Sequence, residues 1–414
     1  MRGKFGKQRL VLLFAALGPG LITASADNDA GGITTYSLAG ARFGYSLLWV
    51  LFLITISLAV TQEMGARMGV VTGKGFGGLI REKFGARWAA LAIFVMLIAN
   101  FGTTTAEFAG IATSLTIFGL SKYISVPLAG FAVWFLITRF DYRRVQKVFL
   151  FSSLIFITYV ISGFRAQPDW SVAMKSIVQP QIQMTTGYLF MLVAVVGTSI
   201  TPWGQFFIQS FTAEKRLKEE DLPYLRADVY LGSVFVSLIA FFIIVACAAT
   251  IWEKNLQITD AAHAAMALGP LAGRFASSLF AFGLLNASLL GAAILPLTSA
   301  YATCETFGWE AGIDKTSKQA PIFFGLFTFF IAASSLIVLI PHLPLLQIML
   351  IPQVLNGILL PVILIFILKI SNDPAFMGEY TNSSAFNIIA TATAILMIIL
   401  SVLLLVSPLI ERFS

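Results

Sequence analysis

The sequence predicts an all-α integral membrane protein of about eleven spans, and three observations carry that prediction. Hydrophobic residues fill 58% of the 414 positions and charged residues only 11%, a balance foreign to water-soluble globular chains. Apolar runs repeatedly exceed roughly 18 residues, the length that marks a helix crossing the hydrocarbon core. Two of those runs are interrupted by groups a continuous helix avoids. These are Asp27-Asn28-Asp29 with Gly31-Gly32 in the first run, and Thr201-Pro202-Trp203-Gly204 in the sixth.

In chain order the spans fall at 10–40, 45–72, 87–120, 123–140, 146–165, 186–212, 226–252, 271–304, 320–341, 345–370 and 384–407. The loops are too short for a soluble domain, so residues 1–414 read as one membrane domain. Spans one to five (10–165) and six to ten (186–370) read as two copies of a five-helix unit, each opening on a broken helix. An odd number of spans per unit inverts the second copy in the membrane, and 384–407 is an extra helix.

The basic residues set the orientation. With the N-terminus in the cytoplasm, 20 of the 27 Lys and Arg fall inside and seven outside: Arg42, Lys122, Arg165, Lys175, Lys254, Arg274 and Arg412. That asymmetry predicts a multi-pass protein of the cell membrane with its C-terminus outside. It also explains the net charge of +7 with the lipid bilayer as surroundings and no nucleic acid as partner. Ala24-Ser25-Ala26 imitates a signal-peptidase site, but Gly18-Pro19-Gly20 interrupts the apolar core such a leader needs, and cleavage would delete half of the first broken helix.

Catalysis finds no candidate. The chain carries no His-Glu-x-x-His, no Gly-x-Ser-x-Gly and no phosphate loop, so no enzyme and no cofactor are predicted. His263 and His342 fall in outer loops, and Cys247 and Cys304 read as small core residues. Asn382-Ser383-Ser384 matches a glycosylation sequon but falls on the cytoplasmic side. The chemistry sits instead at the breaks. A carboxylate in hydrocarbon costs several kcal/mol, so Asp27 and Asp29 predict a cation or a water-filled cavity beside them. Two broken helices five spans apart are the mark of a transporter with its site at the bilayer midplane.

The residues around these breaks carry a resemblance. Gly18-Pro19-Gly20 followed by Asp29, then Arg67–Gly73, Arg143-Arg144 with Lys147, Gln353 with Leu360-Pro361, and Ser371-Asn372-Asp373 with Met377-Gly378-Glu379 occur in the order seen in the Nramp divalent-metal transporters. The chain resembles that family over nearly its whole length, which implies a LeuT-like fold with the first and sixth helices broken. The family's first-helix motif, Asp-Pro-Gly-Asn, stands here as Asp29, Ala30, Gly31 and Gly32, followed by Thr35. Its sixth-helix Met-Pro-His stands as Thr201, Pro202 and Trp203. The third-helix Asp is Thr104 while the Glu remains as Glu107, and the ninth span, Pro321–Ile340, has no basic residue. These departures are similar to those of the Nramp-related magnesium transporter branch.

The resemblance thus implies a metal site formed by Asp29, the space left by Gly32, Thr201, the carbonyls of Ala26 and Thr198, and Gln353. Thioether sulfur favours transition metals and offers Mg²⁺ nothing, whereas a hydroxyl is a hard ligand. Mg²⁺ retains several waters and takes one or two carboxylates, for which Gly32 and Thr201 leave room. The expected activity is uptake of hydrated Mg²⁺, with Mn²⁺ also accepted, by alternating access, in a monomer and without proton coupling. Alternatives are a proton-coupled Mn²⁺/Fe²⁺ symporter and, from another class, a sodium-coupled amino-acid symporter, whose substrate carboxylate Asp29 would repel. A cation channel would need rings of acidic residues. Asp27 adds charge to the cavity or caps the second half-helix, and Trp203 is an apolar plug or a gate over the ion. Asp29 has a plain helix cap as its competing role, and Glu107 reads as a hydrogen-bonded structural acid. Glu63 falls near the cytoplasmic end of span two, where a polar residue needs little explanation.

Overall fold

No water reaches the hydrocarbon core, so each spanning segment must satisfy its own backbone N–H and C=O groups. The computed structural model describes residues 27–139, 153–215, 217–256, 273, 276–313 and 315–413, and among these it is helical with no strand. The half-helix α1 (Ala30–Phe43) follows the first break. After it come α2 (Leu48–Thr72), a short α3 (Phe76–Phe84), α4 (Ala86–Ile117) and α5 (Lys122–Arg139). A 3₁₀ turn at Ser153–Phe156 runs into α6 (Ile157–Arg165), and α7 (Trp170–Val178) lies in the connection beyond. The sixth span is two helices, α8 (Thr186–Ser199) and α9 (Pro202–Glu214). The remainder is α10 (Leu222–Cys247), continued by a π turn at Ala248–Trp252, then α11 (Ala276–Phe307), α12 (Pro321–Leu339), α13 (Leu345–Ser371), the short α14 (Pro374–Met377) and α15 (Ser384–Phe413).

Eight segments among the described residues are long and apolar enough to cross a membrane. They coincide with predicted spans two, three and six to eleven. The fourth is the 18-residue α5, held between Lys122 and Arg139. The first and fifth lie partly outside the described residues, as do Gly18-Pro19-Gly20, Arg143, Arg144, Lys147 and His263. Outward-facing Leu128, Phe131, Leu336 and Leu405 are each more than 60% exposed, as side chains that face lipid must be.

α1 is the most enclosed element: every residue from Ala30 to Ala41 is buried, against α4, α8, α10 and α13. Helices in lipid gain little from apolar burial against one another and pack through small residues instead. Gly197 shows this where α8 crosses α13, since a methyl group there would stand 2.0 Å from the Gln353 carbonyl oxygen and 2.4 Å from the Gly357 nitrogen. The two helices are in backbone contact, which fixes Gln353 beside the sixth-span break.

Glu63 departs from the sequence expectation. It is 1% exposed and bracketed by two guanidinium groups. Arg67 Nε lies 3.1 Å from both its oxygens, and Arg226 Nε, from α10, lies 2.8 Å from Oε1. Arg67 also donates to the Tyr380 carbonyl and, at 2.7 Å, to Asn382 Oδ1. Asn382 in turn donates to Ser371 Oγ at 2.9 Å. The motif residues at the end of α2 and after α13 are therefore parts of one polar cluster, brought together from more than 300 positions apart. Beside it, the Lys83 ammonium, 2.7 Å from Asp373, holds that carboxyl below the usual carboxylate range. Removing one partner of a buried ion pair leaves charge uncompensated, so Glu63→Ala is expected to cost about 3–5 kcal/mol. Thermal unfolding of the detergent-solubilised protein reads this, and an unchanged melting temperature would contradict it.

Candidate cation site at the two helix breaks

The first break is two residues long. Asp27 is helical, Asn28 and Asp29 are not, and helix resumes at Ala30. Asp29 adopts an extended backbone (φ −74°, ψ −178°), and its Oδ1 accepts from the Gly32 N–H at 2.5 Å. The second break is Ile200-Thr201, enforced by Pro202, which lacks an N–H and suits the first helical position. Thr201 is likewise extended (φ −85°, ψ 143°), and its hydroxyl accepts from the Gly204 N–H at 3.2 Å. Both half-helices thus start on a side-chain oxygen that satisfies the amide three residues on. Both also bring their positive dipole ends to the breaks.

Negative groups compensate those ends. Glu107 of α4 is wholly buried and accepts from the Ala30 N–H through Oε2 at 3.3 Å. It packs against Gly291 of α11, where a methyl group would stand 2.5 Å from its carboxyl carbon. Its other oxygen, Oε1, is buried with no partner among the described residues. Thr104, one turn earlier, returns its hydroxyl to the Asn100 carbonyl of its own helix at 2.7 Å and so offers nothing to the site.

Oxygen atoms converge where Gly32 has no side chain. A methyl group on Gly32 would stand 2.9 Å from the Asp27 carbonyl oxygen and 3.3 Å from both Asp29 Oδ1 and Thr198 Oγ1. The Thr198 hydroxyl is buried and has no hydrogen-bond partner among the described residues. Gln353 reaches the same break from α13. Its amide nitrogen lies 1.8 Å from where a Gly31 side chain would begin, so Gly31 is what admits it. Gln353 Oε1 accepts from Asn356 Nδ2 at 3.2 Å, Asn356 Nδ2 also lies 3.1 Å from Thr103 Oγ1, and Gln353 Nε2 has no partner among the described residues.

Asp29, Gly32, Thr198 and Gln353 are therefore brought together at the first break, with Thr198 entering through its hydroxyl. Thr201 meets Asp27 instead, its hydroxyl 3.5 Å from Asp27 Oδ1. Ala26 lies outside the described residues. The capping role open to Asp27 is taken by Asp29 and, on α9, by Thr201. Trp203 is 1% exposed and packs with Phe207, Leu290, Ile294 and Leu295, ring to ring with Phe207 at 6.0 Å. Its surroundings are the apolar side chains of α9 and α11, and its indole N–H has no partner among the described residues. Asp29 does cap a helix, and the cap coexists with the oxygen cluster.

Sequence reasoning passed over Asn28, Gln62 and Gln205. Both side-chain polar atoms of Asn28 and of Gln205 are buried without partners among the described residues. The available signal was an amide next to each break inside an apolar span. No three His, Cys, Asp or Glu side chains gather into a metal-ligating group among the described residues. The donors at the break are carboxylate, hydroxyl and carbonyl oxygens, a hard set.

Comparison with known proteins agrees with this architecture. The family model for natural resistance-associated macrophage protein-like (Nramp) proteins matches residues 20–407. The divalent metal cation transporter MntH of Staphylococcus saprophyticus is 26% identical over 98% of this chain and 93% of its own length. The corresponding MntH of Deinococcus radiodurans is 28% identical over 71% of this chain and 70% of its own. Among solved structures, the Eremococcus coleocola manganese transporter aligns with a TM-score of 0.77 at 18% identity, covering 94% of this chain and 85% of that one. Mhp1, a nucleobase-cation-symport-1 family transporter, aligns with a TM-score of 0.58 at 16% identity over 96% of this chain and 92% of its own. The fold is accordingly the LeuT-like one, and with a family match running through both capped breaks and nearly every span, the chain belongs to the Nramp family of membrane transporters and is not an enzyme.

Proposed function

We propose that the protein is a secondary transporter that carries divalent cations into the cytoplasm by alternating access, with hydrated Mg²⁺ preferred and Mn²⁺ accepted. The observation that carries this reading is the convergence at Gly32 of the Asp27 carbonyl, the Asp29 carboxylate and the unpartnered Thr198 hydroxyl. Hard oxygens converging on one point suit a hard cation that surrenders its waters reluctantly. The MntH relatives, named as divalent metal cation transporters, support the charge class of the substrate. In this reading the chain is a monomer built of two inverted five-helix units, 10–165 and 186–370, with 384–407 added. Its N-terminus lies in the cytoplasm and its C-terminus outside, following the distribution of Lys and Arg.

Transport is driven by the ion's own gradient and the membrane potential, which supplies roughly 4.6 kcal/mol for a divalent ion at 100 mV, from about 2.3 per charge. The proton path expected of a coupled relative is broken, because Thr104 bonds its own helix, Trp203 is packed in an apolar cluster and α12 has no basic residue. A second reading, the proton-coupled Mn²⁺/Fe²⁺ symporter, is favoured by one observation: a second carboxylate, Glu107, is buried at the same break, bonded to the amide next to Asp29. Internal pH in proteoliposomes with the potential clamped separates the two. Addition of Mg²⁺ outside is expected to leave internal pH unchanged while Mg²⁺ enters. Acidification that scales with Mg²⁺ entry and disappears in Glu107→Gln would establish the symporter instead.

A further inference from the structure

Asp27 has no counterpart among the family residues carried over to this chain, and its surroundings do not explain it as a structural group. It is 1% exposed, yet only one of its carboxylate oxygens has a partner, the Thr201 hydroxyl at 3.5 Å. Oδ2 has none among the described residues, and no Lys, Arg or His among them pairs with it. A buried, unpaired carboxylate is costly and persists where something else supplies the compensation.

The second break gathers further polar groups around it. Gly204 follows Thr201 by three residues, as Gly32 follows Asp29, and side chains converge on it as well. A methyl group there would stand 2.9 Å from Thr201 Oγ1, 3.6 Å from Gln62 Nε2 and 3.8 Å from Asp27 Oδ1. Three segments, the turn before α1, α2 and α9, each bring one polar group to that point. The next residue, Gln205, is buried with both side-chain polar atoms unpartnered. Asp27 therefore serves both breaks, giving its carbonyl oxygen to the cluster at Gly32 and its carboxylate to the cluster at Gly204.

We propose that Asp27 is a second cation-binding carboxylate, which accepts hydrogen bonds from the waters a divalent ion retains while Asp29 lies on the ion's other side, and that it sets the preference for a hydrated ion. The inference rests on the transport reading above. Thr201 orients the carboxylate, and Gln62 adds a polar group beside Gly204. A cation that sheds water easily needs this second carboxylate less than Mg²⁺ does.

Hexaamminecobalt(III) is the probe, because its ammine ligands do not exchange and it can bind only through outer-shell hydrogen bonds. In proteoliposomes of the full chain it is expected to compete with Mg²⁺ for uptake. Asp27→Asn should weaken that inhibition and raise the KM for Mg²⁺ by about tenfold or more each, the usual scale for loss of an outer-shell partner, with a smaller change for Mn²⁺. Gly204→Ala keeps the charge but crowds the Thr201 hydroxyl against which Asp27 lies, and should move both quantities in the same direction, which covers the case of an Asp27→Asn variant that fails to fold. A native protein insensitive to hexaamminecobalt(III), or variants with unchanged inhibition and unchanged Mg²⁺/Mn²⁺ preference, would overturn the assignment of Asp27 while leaving the transport reading intact. A native protein that takes up neither Mg²⁺ nor Mn²⁺ would overturn the transport reading itself.

Discussion

Asp29→Ala is expected to abolish divalent-cation uptake in a protein that still folds. The side chain has two roles that the structure separates. As the cap of α1 it satisfies the Gly32 amide, and losing such a cap costs about 1 kcal/mol, a modest part of the roughly 5–15 kcal/mol that holds a domain folded. As a charge it stands at the cluster of oxygens around Gly32, where a divalent ion has few other anionic groups to meet. Asp29→Asn is the sharper variant, because Asn caps helices as well as Asp does while carrying no charge. Both variants should elute as folded monomers in detergent, and both should fail to accumulate Mg²⁺ in proteoliposomes. Uptake near the native rate by a folded Asp29→Asn protein would remove the site from this break altogether.

Gly32→Asn combined with Thr201→Met is expected to invert the ion preference, lowering Mg²⁺ uptake by about tenfold or more relative to Mn²⁺ and Cd²⁺. The first change fills the space between the Asp27 carbonyl, Asp29 and Thr198, where even the β-carbon comes within 2.9–3.3 Å of three oxygens. Retained water is displaced by a fixed amide. The second change supplies a soft thioether, which favours transition metals and contributes nothing to Mg²⁺. It also removes the cap on α9 and the hydroxyl that meets Asp27, so some loss of stability accompanies it. Competition uptake with both ions present reads the preference directly. Selectivity that stays with Mg²⁺ in the double variant would mean it arises away from these two positions.

The spans were legible because the bilayer imposes one length and one composition on every helix that crosses it. Asp29, Gly31-Gly32 and Thr201-Pro202 were legible for the converse reason: each violates those demands inside an apolar run, and a violation there needs a cause. Asp29 and Thr201 as starts of half-helices follow from local rules of capping and from the missing N–H of Pro202, with no partner needed from elsewhere in the chain. The roles of neighbouring residues were not local. Thr201 and Asp27 are 174 positions apart, and only the packing of α9 beside the first break made them partners. Glu63 looked like an ordinary polar residue near a helix end until α10 brought Arg226 to it. Trp203 had two roles open until the apolar side chains of α11 closed around it. Hydrophobic length and backbone chemistry are properties of a segment and are written in its residues. Which oxygens meet at a break, and which charge is answered by another, depend on side chains converging from separate helices, and the tertiary structure alone decided them.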